Sequence, residues 1–301
     1  MKRSTLTRVV ALPVVAGLCL FVQSGLRSAP PDEVAPLPPP QAEVRIGTPI
    51  DPNIKDKEWE DTILTLARDM VAIYETKVAP EPPTGRKPFY LVQSTDGMPR
   101  ANYGGDRHNV IITMLAGGGW HTQATFQLGH EIGHFWTGPS SDWYVESFCT
   151  ALGFMCMDEL HKQWTYHPKG EKWAGWAADM KDYHDKRNIQ RYLEGIGLTN
   201  MDEAFEWART KSPALFREGK FGRNEEGVLA AVIEQVLRRH PGQWAALTRI
   251  ADVPKGPLDF EKWHSIVTPA QQPLVRDLAA AMGMPITPIR PIRKLGMPIR
   301  K

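Results

Sequence analysis

His130-Glu131-Ile132-Gly133-His134 is the stretch on which the fold and chemistry of this 301-residue chain turn. It lies in a segment from Thr122 to Trp136 that reads as a helix, introduced by Gly117-Gly118-Gly119 and closed by Gly138-Pro139. On a helix, positions i and i+4 project from one face about one turn apart, so the imidazoles of His130 and His134 can meet one tetrahedral ion. Glu131 is rotated about 100° from His130 and lies beside that face. Its carboxylate does not readily reach the same ion, but it can accept a proton from a water polarised there. The triple glycine lacks the Gly-Lys-Ser/Thr ending of a phosphate loop and reads as a turn.

A third ligand makes such a site tight while leaving one position open. Glu146 follows His134 by twelve residues. Gly138-Pro139 ends the first helix, Ser140-Ser141-Asp142 supplies capping residues, and a short helix–helix connection returns the chain beside its predecessor. Glu146 then falls in the first turn of the return helix. Asp142 is the rival ligand, and its position favours an N-cap instead.

These residues resemble the zincin metallopeptidases, and within them the gluzincin type, in which H-E-x-x-H and a glutamate on a following helix bind zinc. The resemblance spans roughly residues 88–156 as strand, edge strand, active-site helix and return helix. It implies His130, His134 and Glu146 as ligands of Zn2+, and Glu131 as the general base. It further implies Asn109–Leu115 as an edge strand that pairs with an extended peptide or protein substrate by β-augmentation. Thr137 and Ser140 stand where the metzincin pattern has a glycine and a third histidine, which excludes that class. Thr150 stands four residues after Glu146, where a large gluzincin branch has aspartate, so the shell behind the ligands departs from that branch.

Outward from the motif, Phe89–Val92 and Asn109–Leu115 read as strands, separated by a turn-rich stretch with Gly104-Gly105-Asp106. Trp59, Ile63, Leu66, Met70 and Tyr74 recur at helical spacing, which predicts an amphipathic helix over 57–76. Beyond residue 160 the pattern is helical. Trp173, Trp176, Met180 and Tyr183 share one helical face, and Val228, Leu229, Val232, Val236 and Leu237 mark another. Gly197 reads as a C-cap, Thr199 with Asp202 as a capping box, and His240-Pro241-Gly242 as a helix end. Thr268-Pro269 reads as the start of the last helix. The fold class is α+β, with a small N-terminal sheet and active-site helix followed by a mainly helical C-terminal half.

The two ends differ from the body. Lys2, Arg3 and Arg8 precede an uncharged run from Val9 to Val22, so residues 1–24 read as a signal peptide or an uncleaved N-terminal anchor. Fourteen apolar residues rise only ~21 Å as a helix, against a hydrocarbon core of ~30 Å. Residues 25–56 are a proline-rich linker, 57–160 the catalytic region, 161–284 the helical region and 285–301 a basic tail. In that tail Pro-Ile-Arg recurs with the period of a polyproline II helix and can contact a membrane or another anionic envelope surface. Whole-chain net charge is +2, but residues 25–286 hold 28 basic against 34 acidic side chains. A body carrying −6 argues against nucleic acid as a partner.

Cys149 and Cys156, seven residues apart on one helix, would lie ~10 Å apart along its axis, beyond disulfide reach. Trp164, Trp173 and Trp176 read as core rather than a sugar-stacking platform. His184, His240, His264, Tyr144 and Tyr192 are the pool from which an oxyanion-stabilising group would come. The expectation is an exported zinc metallopeptidase, and the competing one is a catalytically inactive, zincin-like envelope-associated binding module.

Overall fold

The apolar runs of the N-terminal half form a four-stranded mixed sheet. Its strands are β1 (Val44–Ile46), β2 (Phe89–Gln93), β3 (Arg100–Gly104) and β4 (Arg107–Ile112), in the order β1-β2-β4-β3. The computed structural model describes residues 34–47, 57–113, 120–138, 142–219, 221–254 and 256–286. The proposed signal at 1–24, the triple glycine and all but the first two residues of the basic tail lie outside these. No helix among the described residues is long and apolar enough to cross a membrane. The described residues from Ala35 onward form one compact unit.

Strands β1, β2 and β4 run parallel, with Val44 opposite Phe89 and Leu91 opposite Val110. Strand β3 turns back through Gly105-Asp106 and pairs antiparallel with β4, Asn102 facing Asn109. Two sequence expectations change here. The described part of Asn109–Leu115 is an interior strand, flanked by β2 and β3, and is not the sheet edge. Its run Val110-Ile111-Ile112 is buried, as expected of a strand covered on both sides. One edge of the sheet is β1, and the edge on the side of β4 is β3, inside the stretch read as turn-rich. Only Ala101 and Tyr103 face inward there, and the intervening Arg100 and Asn102 are exposed, so no apolar run announces it. Likewise, β1 forms within the segment read as linker, where Ala42 and Val44 are buried.

The helices are α1 (Lys57–Lys77), α2 (His121–Thr137), α3 (Trp143–Tyr166), α4 (Glu171–Asp182), α5 (Arg191–Gly195), α6 (Met201–Glu218), α7 (Arg223–Arg239), α8 (Phe260–Ile266) and α9 (Gln272–Ala281). A π-helical segment, Tyr183–Gln190, joins α4 to α5, and a 3-10 segment, Trp244–Asp252, follows α7. The architecture is therefore α+β. Trp59, Ile63, Leu66, Met70 and Tyr74 of α1 are all buried, each side chain stabilising the fold by about 1.5–3 kcal/mol. Two cap assignments shift. Asn200, not Thr199, caps α6 by accepting from the Glu203 N–H. Helix α9 begins at Gln272, one turn after Thr268-Pro269. Cys149 and Cys156 are buried and free.

The packing that matters for the site is α2 against α3. A Cβ at Gly129 would come within 3.1 Å of the Gly153 Cα, so the two backbones approach as closely as glycine allows. The Tyr74 hydroxyl donates to the Gly129 carbonyl at 2.6 Å and lies where a Cβ at Gly133 would come within 2.9 Å of it. Helix α2 is thus held by bare glycine on two sides, and His130 and His134 are left facing α3.

Candidate metal centre

His130 and His134 project from α2, and Glu146 meets them from the first turn of α3. The Nε2 atoms of the two histidines lie 3.2 Å apart. Glu146 Oε2 is 3.1 Å from His130 Nε2 and 3.5 Å from His134 Nε2. A tetrahedral ion with ligands at 2.0–2.1 Å has donor–donor edges of about 3.3 Å, so this triangle has the size of one face of such a site. The three residues form a group able to hold a metal ion. Asp142, the rival ligand, stands at the N-cap position of α3, and its carboxylate accepts from the Tyr144 hydroxyl at 3.2 Å.

Behind the donors, Thr150 sits one turn after Glu146 on α3. Its hydroxyl donates to Glu226 Oε1 at 3.1 Å and lies 3.1 Å from His130 Nδ1. Because the hydroxyl proton is directed to Glu226, Thr150 accepts from Nδ1–H, which leaves the lone pair of His130 on Nε2. A carboxylate from α7, relayed through a threonine, thus stands where a single aspartate would otherwise act. Burial raises the Glu226 pKa, while His130 and the Thr150 hydroxyl act in the opposite direction.

Burial works against a charge on His134, and the neighbouring Cys149 and Glu146 overcome it, raising its pKa to about 11. Burial also disfavours charge on Glu146, yet the two histidines against it, His134 among them as a charged donor, hold its pKa well below the usual carboxylate range. The metal-free triad therefore holds a proton that a cation would displace. Tyr103, on the edge strand, donates its hydroxyl to the His134 carbonyl and fixes the last turn of α2 against the sheet.

Glu131 is 4 % exposed, and its Oε2 has no hydrogen-bond partner among the described residues. Burial raises its pKa, opposed by His130 and His134 and by the Ala101 N–H of β3. A buried acceptor without a donor is costly unless something fills the position. A buried carboxylate beside the triad with one oxygen free of partners among the described residues suits a group that receives a proton there.

The centre opens into a cleft of about 1060 Å3. Its lining includes Met98 and Trp120, both 63 % exposed. The π-helical segment, α5 and the start of α7 also line it. Of the five residues in the oxyanion pool, only Tyr192 lines this cleft. His184 is buried against Glu234 and Asp185, and His240 pairs with Asp277. Trp164 and Trp173 are core, and Trp176 stacks on His121 at 4.2 Å. Sequence reasoning marked Thr150 only as a departure. It missed Glu226, Tyr103 and Trp120, of which Tyr103 had a signal in its alternation with Ala101.

In comparisons with protein-family models, curated proteins and solved structures, the chain matches none. The candidate metal centre is accordingly defined by its own geometry.

Proposed function

We propose that this chain is an exported zinc-dependent peptidase. One observation carries the reading: three donors arranged as one face of a tetrahedral site, with a buried carboxylate beside them whose Oε2 has no hydrogen-bond partner among the described residues. Zinc, when bound, supplies a Lewis acid that polarises the scissile carbonyl and lowers the pKa of the attacking water. His130, His134 and Glu146 would hold it, and Thr150 with Glu226 would keep the Nδ1 proton of His130 in place.

Glu131 takes a proton from the attacking water and returns it to the leaving amine nitrogen, so that water and amide become acid and amine. The unpaired edge of β3 aligns an extended peptide by main-chain hydrogen bonds, with Gly97, Met98 and Pro99 continuing that edge along the cleft. Export rests on the basic residues ahead of Val9–Val22, and contact with an anionic envelope surface on the tail 285–301.

The test is hydrolysis of an unfolded protein mixture read by mass spectrometry. Expected are new termini with wild-type protein, their loss on chelation, recovery with added zinc, and none with Glu131→Gln. Undiminished hydrolysis by Glu131→Gln would contradict the reading. Bound metal without any hydrolysis would favour the inactive binding module.

A further inference from the structure

The cleft that holds the metal centre is also lined by Arg187 on the π-helical segment, Arg191 opening α5 and Arg223 opening α7. All three are exposed, and none of their guanidinium groups makes an ion pair or a hydrogen bond among the described residues. Lys186, the fourth cation lining the cleft, pairs with Asp182. What sets the three arginines apart is that they line one cleft together.

The π-helix explains how the chain gathers them. Its i→i+5 bonds widen the turn, so residues four and five positions on both stay near the face of Tyr183. That face carries Arg187 with Asn188, then Arg191 with Tyr192, and all of them line the cleft. Burial raises the Tyr183 pKa and Tyr192 adds to it, whereas Arg223, Arg191 and Arg187 each pull it down, which places all three guanidiniums within electrostatic reach of one hydroxyl. Asn188 is 5 % exposed, and its Nδ2 has no partner among the described residues. The acids lining the same cleft are Glu131, Glu146 and Glu226; Glu146 lies against the two histidines and Glu226 accepts from Thr150, with Arg223 acting on Glu226 as well.

Resting on the peptidase reading, we propose that this part of the cleft is a specificity subsite for a carboxylate on the substrate, held by Arg187, Arg191 and Arg223. Guanidinium groups bind carboxylates through paired N–H donors, so three unpaired ones in a cleft select for negative charge. The carboxylate comes from an Asp or Glu side chain or from a free C-terminus. The exposed Met98 and Trp120, which line the same cleft, would take a hydrophobic residue of the same peptide.

Calorimetric binding of peptides to full-length, zinc-loaded Glu131→Gln tests this independently of turnover. One set consists of capped octapeptides in which a single glutamate is walked through an alanine–phenylalanine background. The second replaces that glutamate by glutamine, and the third lacks glutamate but has a free C-terminal carboxylate. Expected is binding at least about tenfold tighter for the glutamate set, the free-acid set or both, relative to the glutamine set. That preference should shrink with added salt and vanish in Arg187→Gln/Arg191→Gln at unchanged zinc content. Preference in the second comparison alone assigns the subsite to the α-carboxylate. Equal affinity for all three sets, or a preference that survives both substitutions, overturns the proposal. If wild-type protein cleaves none of these peptides while the preference holds, the peptidase reading fails and the anion subsite stands.

Discussion

The Thr150 hydroxyl lies 3.1 Å from His130 Nδ1 and donates a hydrogen bond to Glu226. Groups behind a metal-ligating histidine fix its tautomer and raise its basicity, and their loss typically costs about 10–100-fold in affinity. Thr150→Val should weaken zinc binding by about that factor in competition with a chromophoric chelator. Glu226→Gln should weaken it less, and the double variant should resemble Thr150→Val, because both act through one relay. Unchanged affinity in Thr150→Val would remove the relay from the account.

Protons and cation compete at the triad. With the His134 pKa raised to about 11, the metal-free site is protonated at neutral pH, and metal uptake must release that proton. Zinc affinity should therefore rise about tenfold per pH unit between pH 6 and 8. Titrations of the apoprotein across that range check it, and a flat profile would contradict the coupling between His134 and Glu146.

Close approach of α2 and α3 brings Glu146 to the histidines, so Gly129 should be intolerant of a side chain. Alanine in a helix interior ordinarily stabilises by about 0.5–1 kcal/mol over glycine. A Cβ at 129 meets the Gly153 Cα at 3.1 Å, backbone against backbone, and overpacking of that kind costs about 1–3 kcal/mol. Gly129→Ala should lower the urea midpoint and weaken zinc binding together. Gly175 in α4 is exposed, with nothing within 4 Å of an added Cβ. Gly175→Ala should raise the midpoint and leave zinc binding alone.

Stability at acid pH should depend on His108. It is 0 % exposed and lies between the rings of Phe89 and Phe135. Its Nε2 lies 3.3 Å from the Gly85 carbonyl, and its Nδ1 has no partner among the described residues, so protonation would bury a donor without an acceptor. Burial accordingly lowers its pKa from 6.5 to about 4. The unfolded chain binds the proton more readily, so this contribution is complete above pH 6.5 and is lost as pH falls toward 4. The loss amounts to about 3 kcal/mol at most. Denaturant unfolding of wild type and His108→Gln at pH 7 and pH 4.5 should show the smaller pH effect in the variant.

Much of this site could be read in the sequence because its central signals are local. His130, Glu131 and His134 occupy one helical turn, and the distance to Glu146 fits a helix, a short connection and a second helix. Thr150 was visible as a departure, but its role depends on Glu226, which packing brings from another helix. The edge strand was hidden because β3 is short and half polar, while β4 carried the apolar run that attracted the strand reading. β1 is only three residues long and follows a proline cluster, so its pairing with β2 has no local signature. Arg187, Arg191 and Arg223 gather only because a π-helical segment and the start of α7 face one cleft.

Metal stoichiometry tests the central claim most directly. Full-length protein, purified without a metal-affinity tag and dialysed against a zinc buffer, should retain about one zinc per chain by plasma mass spectrometry. Glu131→Gln should retain it too, while His130→Ala and Glu146→Ala should lose it with their helical circular dichroism unchanged. A folded wild-type chain that holds no metal would contradict the account, as would a zinc content indifferent to both substitutions.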